Sequence, residues 1–143
     1  MPKHYLPSLH SEHIGNLTCV IDVSGSISQH DMDVFLSEVS YIRDILQPRQ
    51  TRILAFDMEI RKDVTMDLGE PLTGFTVNGG GGTYIGPIID ILVKDEPEIA
   101  LIFTDGQFGM PYLGDVQTAL FWIINNTRFE FEASKGEIIK YDS

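Results

Sequence analysis

The sequence predicts a compact α/β domain built on an open, mostly parallel sheet with one antiparallel edge strand and helices on both faces. Three observations carry this. Short apolar runs recur along the chain at Leu17–Val23, Thr51–Phe56, Ile99–Phe103 and Ala119–Ile124. Continuous runs of this length suit strands covered on both faces. Helical apolar stripes stand between some of them, and an alternation of strand and helix implies a parallel sheet. The chain has 143 residues, enough for one domain with a real core. The expected organisation is therefore a single domain over 1–143, with 1–16 as a polar N-terminal arm broken by Pro2 and Pro7.

In order, Leu17–Val23 is the first strand. Ser28 then reads as a helix N-cap with Asp31 three residues on, a capping-box pattern. Met32, Phe35, Leu36, Val39, Ile42 and Leu46 form one stripe on a helix ending before Pro48. His30, Asp31, Asp33 and Glu38 belong to its solvated face. Thr51–Phe56 is a second strand, and Glu59–Leu68 an edge strand antiparallel to it. Arg61, Lys62 and Asp63 supply the charge that protects such an edge. Leu72–Val77 suggests a short extended piece. Pro87 starts a second helix, with Ile88, Ile91 and Leu92 on its apolar face. Glu98–Thr104 and Ala119–Ile124 are strands, with Trp122 in the core, separated by an irregular Gln107–Val116. Asn125–Gly136 is expected to be exposed, and Glu137–Tyr141 a last short strand.

Composition narrows the function. Formal net charge is −11 and the isoelectric point about 4.5. Such a field repels phosphate backbones and anionic lipid, so nucleic-acid and membrane partners are not expected. It suits a cation or a basic surface, although solubility alone accounts for it. Cys19 is the only cysteine and sits in an apolar strand, as a small hydrophobe would. No apolar stretch approaches the ~20 residues of a membrane span, and no signal peptide is evident. A cytoplasmic location is the expectation.

The chemistry gathers where strands end. The first strand runs into Asp22-Val23-Ser24-Gly25-Ser26, which sets three oxygen side chains at alternate positions. Hard cations take such ligands and keep waters. The plainer reading is a turn whose Asp and Ser cap the next helix. Gly79-Gly80-Gly81-Gly82-Thr83 is costly to order, which marks a place where backbone approaches something closely. A phosphate-binding loop needs Lys after its last Gly, and here Thr83 follows. The strand ending at Thr104 brings a second carboxylate, Asp105. Open α/β sheets bind ligands beyond the carboxyl ends of their strands. Asp22, Ser24, Ser26, Thr83 and Asp105 are thus expected at one edge, a set of oxygens without sulfur or imidazole that selects Mg²⁺, Mn²⁺ or Ca²⁺ over zinc. The histidine pair His10 and His13 lacks the H-E-x-x-H pattern and is expected to be solvent-exposed. Asp57, at the end of a neighbouring strand, is a candidate to support the ligands from behind, but it is not counted among the site residues.

D-x-S-x-S at 22–26, Thr83 and Asp105 resemble the metal-ion-dependent adhesion site (MIDAS) of von Willebrand factor A (VWA) domains. The chain is more similar still to the bacterial and phage VWA-like domain of predicted metallopeptidase-like proteins. Tyr5-Leu6-Pro7, Ile21–Ser28, Gly79–Thr83 with Pro87, Thr104-Asp105-Gly106 and Phe121-Trp122 carry that likeness in order. The resemblance implies a Rossmann-like sheet, short or missing helices for so short a chain, and metal ligation by the Ser24, Ser26 and Thr83 hydroxyls. Asp22 and Asp105 would bind directly or through water. Tyr84 departs from the pattern, since many relatives carry an acidic residue there. Peptidase activity belongs to a region preceding the VWA-like part and is not carried over.

The favoured expectation is a magnesium-dependent protein-binding module whose metal accepts a carboxylate from a partner. Family association extends this to an AAA+ ATPase as partner. The alternatives are a metal-assisted, phosphatase-like hydrolase and a degenerate scaffold that keeps the fold and no longer binds metal. A dehalogenase-like hydrolase would carry D-x-D, but Ser24 stands two after Asp22, and no His, Lys or Cys is set beside the site as base or nucleophile. No enzyme activity is expected.

Overall fold

The computed structural model describes residues 14–25, 27–125 and 130–141. Its elements are β1 (Asn16–Asp22), α1 (Gln29–Leu46), β2 (Gln50–Phe56), β3 (Ile60–Asp67), α2 (Gly86–Asp95), β4 (Ile99–Thr104), β5 (Ala119–Ile124) and β6 (Glu137–Lys140). They form one six-stranded sheet in the order β3-β2-β1-β4-β5-β6. Only the β2–β3 pair is antiparallel among these neighbours.

Alternation along each strand divides the core in two. On one face, Cys19, Ile21, Ile53, Leu101, Phe103 and Ile123 pack with Phe35, Val39 and Ile42 of α1. On the other, Val20, Leu54, Ile102, Trp122 and Ile124 pack with Ile88, Ile89 and Leu92 of α2. One helix therefore covers each face. No helix joins β4 to β5; Leu113 and Val116 of that irregular connection fill the α2 face instead. Cys19 is fully buried, and burial pushes its thiol pKa up, as suits a core hydrophobe.

Helix α1 starts as its sequence requires. Ser28 Oγ accepts from the Asp31 backbone N–H at 3.1 Å, and an Asp31 carboxylate oxygen accepts from the Ser28 N–H at 3.0 Å. This closes the capping box and removes Asp31 from the solvated face: it is buried, while His30 and Asp33 are exposed. Leu72–Val77, expected as a short extended piece, pairs with no strand of the sheet. The sheet edge beside β2 is already taken by β3, and Gly74 breaks the extended run with φ +65°. Leu72, Phe75 and Val77 pack on the α1 face instead. Within 125–136, Phe131 is buried against Trp122 rather than exposed, with ring centroids 5.2 Å apart. Of the N-terminal arm, Ile14 is already in the core; residues 1–13, with His10 and His13, lie outside the described residues.

This topology makes a crevice. The chain leaves β1 through α1 toward β2, and returns from β3 through α2 to β4 on β1's other side. Such a switch of direction opens a cleft between the carboxyl ends of the two central strands.

Candidate functional site

Asp22 ends β1 and Asp105 follows the end of β4, so both stand at that switch point. The β1–β4 register runs to Ile21↔Phe103, and Asp22 and Thr104 occupy the next rung. Their side chains fall on the same face, and the Thr104 hydroxyl donates to Asp22 Oδ2 at 2.7 Å. The Ser24 N–H donates to Asp22 Oδ1 at 2.9 Å. Asp22 is 0% exposed, while Ser24 and Asp105 are each 6% exposed. Burial raises the Asp22 pKa above the ordinary carboxylate value; the bonds from Ser24 and Thr104 oppose this, and the Asp105 charge adds to it. Thr104 is itself fixed, accepting from the Gly106 N–H at 3.1 Å. Asp105 Oδ1 accepts from the Gln107 N–H at 2.9 Å. Gly106 has φ +79°, and a methyl there would meet the Phe131 ring at 2.8 Å, so a glycine is required just after Asp105.

The glycine run is a docked strip of backbone. The Gly80 N–H donates to the Val23 carbonyl at 2.8 Å, and the Gly25 N–H to the Gly81 carbonyl at 3.2 Å. A methyl at Gly79 would lie 2.2 Å from the Val23 carbonyl oxygen. The close approach expected of these glycines is therefore to the Asp22–Gly25 turn. Thr83, half-buried, stands just past this docked strip. A cavity of about 340 Å³ opens beside the turn, lined in part by Ser24, Gly25, Met32, Phe75 and Gly80.

Asp57 was legible only as a candidate supporting residue, and its partners become visible in the structure. It lies in the three-residue loop between β2 and β3 and is 0% exposed. Its Oδ1 accepts from Arg61 Nε at 2.8 Å and from the Glu59 N–H at 3.3 Å; its Oδ2 accepts from the Gly81 N–H at 3.3 Å. Its carbonyl accepts from the Tyr84 N–H at 2.8 Å. Arg61, ahead of the backbone donors, holds the Asp57 carboxyl below its ordinary pKa. The available sequence signal was a carboxylate at the end of a buried strand, the same signal that marked Asp22 and Asp105. Thr104 was visible as a motif residue, but its service to Asp22 required the strand register.

The structure thus joins Asp22, Ser24 and Asp105 in one crevice and ties the loop bearing Thr83 to the same turn. Ser26 lies outside the described residues. Among the described residues no group of three or more His, Cys, Asp or Glu side chains converges as a metal site. The donors gathered here are two carboxylates with hydroxyls. They fit a hard cation in kind, since such ions take carboxylate and hydroxyl oxygens, and the Asp22 oxygens are already oriented by the Ser24 N–H and the Thr104 hydroxyl.

Residues 17–142 match the model of the VWA-like domain family DUF2201, and the chain belongs to that family. It is also similar to an uncharacterized protein of Thermotoga maritima, with 27% identity over 108 residues. Those residues cover 75% of this chain and 27% of that protein, so the chain spans about a quarter of its relative's length. No helix among the described residues is long and apolar enough to cross a membrane.

Proposed function

We propose that this domain is a divalent-cation-dependent protein-binding module. The observation that carries the reading is Asp22: a buried carboxylate held by Ser24 and Thr104 at the strand ends it shares with Asp105. Asp22, Ser24, Ser26, Thr83 and Asp105 would hold Mg²⁺, or Mn²⁺ or Ca²⁺, in the manner of a metal-ion-dependent adhesion site. The cation would supply electrophilic attraction for a carboxylate from a partner. Neutral hydroxyls among the ligands leave that charge less compensated than an all-carboxylate set would. The adjoining cavity offers room for the residues that flank the partner's acid.

The chain's own residues supply the preorganisation. Thr104 and Ser24 fix the Asp22 carboxylate, and Gly79–Gly81 lock the turn against the Thr83 loop. An AAA+ ATPase is the partner class that the family association favours. The reading assigns binding to the site and no turnover. The test is capture of a partner by the immobilised domain in Mg²⁺ and in excess chelator. Retention that chelator releases, and that Asp22→Asn abolishes, supports the reading; retention indifferent to both overturns it.

A further inference from the structure

The Asp57 carboxylate is fully buried, and both of its oxygens are used. One faces Arg61, which is 39% exposed on the outer side. The other reaches the Gly81 N–H. Gly81 is also the residue whose carbonyl takes the Gly25 N–H from the metal-site turn. Its two backbone groups therefore connect Asp57 to the residue next to Ser24, and Thr83 lies two positions further on. The backbone carbonyl of Asp57 holds Tyr84, the residue after Thr83. Thr83 is bracketed on both sides by bonds to one residue of a different loop. A methyl at Gly81 would stand 3.2 Å from Asp57 Oδ2, so the fit leaves little slack.

We infer that Asp57 is a positioning residue of the oxygen site: held by Arg61, it fixes Gly81 and thereby sets where the Thr83 hydroxyl stands relative to Asp22 and Ser24. The inference rests on the cation-binding reading. It makes the β2–β3 loop part of the site's machinery. Asp57 contributes no ligand; it holds the loop that does.

The test compares the wild type with Asp57→Ala, Asp57→Asn and Gly81→Ala, using Mn²⁺ alone as probe. Amide hydrogen exchange at position 81 is read in chelator-treated protein, and Mn²⁺ affinity by calorimetry. Loss of the Gly81 hydrogen bond to a charged acceptor, together with those from Arg61 and the Glu59 N–H, predicts Mn²⁺ binding weaker by about tenfold or more in Asp57→Ala. The position-81 amide should exchange faster, with Asp57→Asn intermediate because it keeps one acceptor. Gly81→Ala disturbs the same contact from the exposed side and decides the matter if Asp57→Ala fails to fold. Wild-type binding with unchanged affinity in Asp57→Ala, or in Gly81→Ala where the first does not fold, overturns the positioning role alone. Absence of Mn²⁺ binding in the wild type overturns the cation reading and this inference with it.

Discussion

At the residue scale, Asp22 shows how the site and the fold pull apart. An unfolded Asp titrates near about 3.9, and burial raises Asp22 above its ordinary value in the native protein. The native state therefore holds this proton more tightly. Between the unfolded and native pKa values stability falls as pH rises, and above the native value the full cost persists. Asn can accept from the Ser24 N–H and donate to the Thr104 hydroxyl, so it keeps the geometry without the charge. Asp22→Asn is expected to raise the Tm of chelator-treated protein at neutral pH, the gain vanishing in acid below the unfolded pKa. A lower Tm at neutral pH would contradict this account. Asp57 has the opposite sign: Arg61 and the backbone donors lower its pKa. Its contribution is present above the unfolded value and is lost as pH falls through the native one.

At the element scale, the capping box and the glycine strip carry separate predictions. Ser28→Ala removes the acceptor for the Asp31 N–H at the start of α1. Urea unfolding should show a loss of about 1 kcal/mol. Phe35 is fully buried and meets Phe103 edge-on at 5.0 Å. Its truncation to Ala should cost about 3–5 kcal/mol by the same measurement. Gly79→Ala forces a methyl onto the Val23 carbonyl. It should weaken Mn²⁺ binding and lower the unfolding midpoint in urea together, since Val23 belongs both to the site turn and to the core. The strands, both helices and the cap were legible because each has a local signal: a continuous apolar run, a 3.6-residue stripe, a Ser with an Asp three on. The glycine strip was legible as a close approach, but what it approaches depends on tertiary packing. Leu72–Val77 was legible only as a short extended piece; that it packs on the α1 face, with β3 holding the sheet edge, is decided by tertiary packing. Phe131 escaped for a related reason, and Asp57 was noted but left without a settled role. A loop aromatic and a strand-end acid look alike in sequence whether the fold covers them or leaves them in water.

At the scale of the whole molecule, the switch between β1 and β4 gathers residues distant in sequence into one cleft. Asp22 and Asp105 were legible as neighbours from their strand ends, and Thr83 from loop composition as an expectation; Thr104 joined Asp22 only through the register of two parallel strands. The net charge of −11 adds a general attraction for cations, and this long-range component weakens with salt. A cation that binds only the folded state stabilises it by mass action, by about 2.7 kcal/mol at a hundredfold excess over Kd. The Tm of chelator-treated protein should therefore climb with Mn²⁺ concentration, and should do so at elevated salt as well. A rise that salt abolishes would indicate the diffuse field of the surface instead of the crevice.

The most direct test of the central claim is calorimetric titration of Mn²⁺ into chelator-treated wild type beside Asp22→Asn. The account predicts saturable binding near one ion per chain in the wild type and at least a tenfold loss in the variant, about 1.4 kcal/mol or more. Equal binding in the two proteins, or no saturable binding in the wild type, would contradict it.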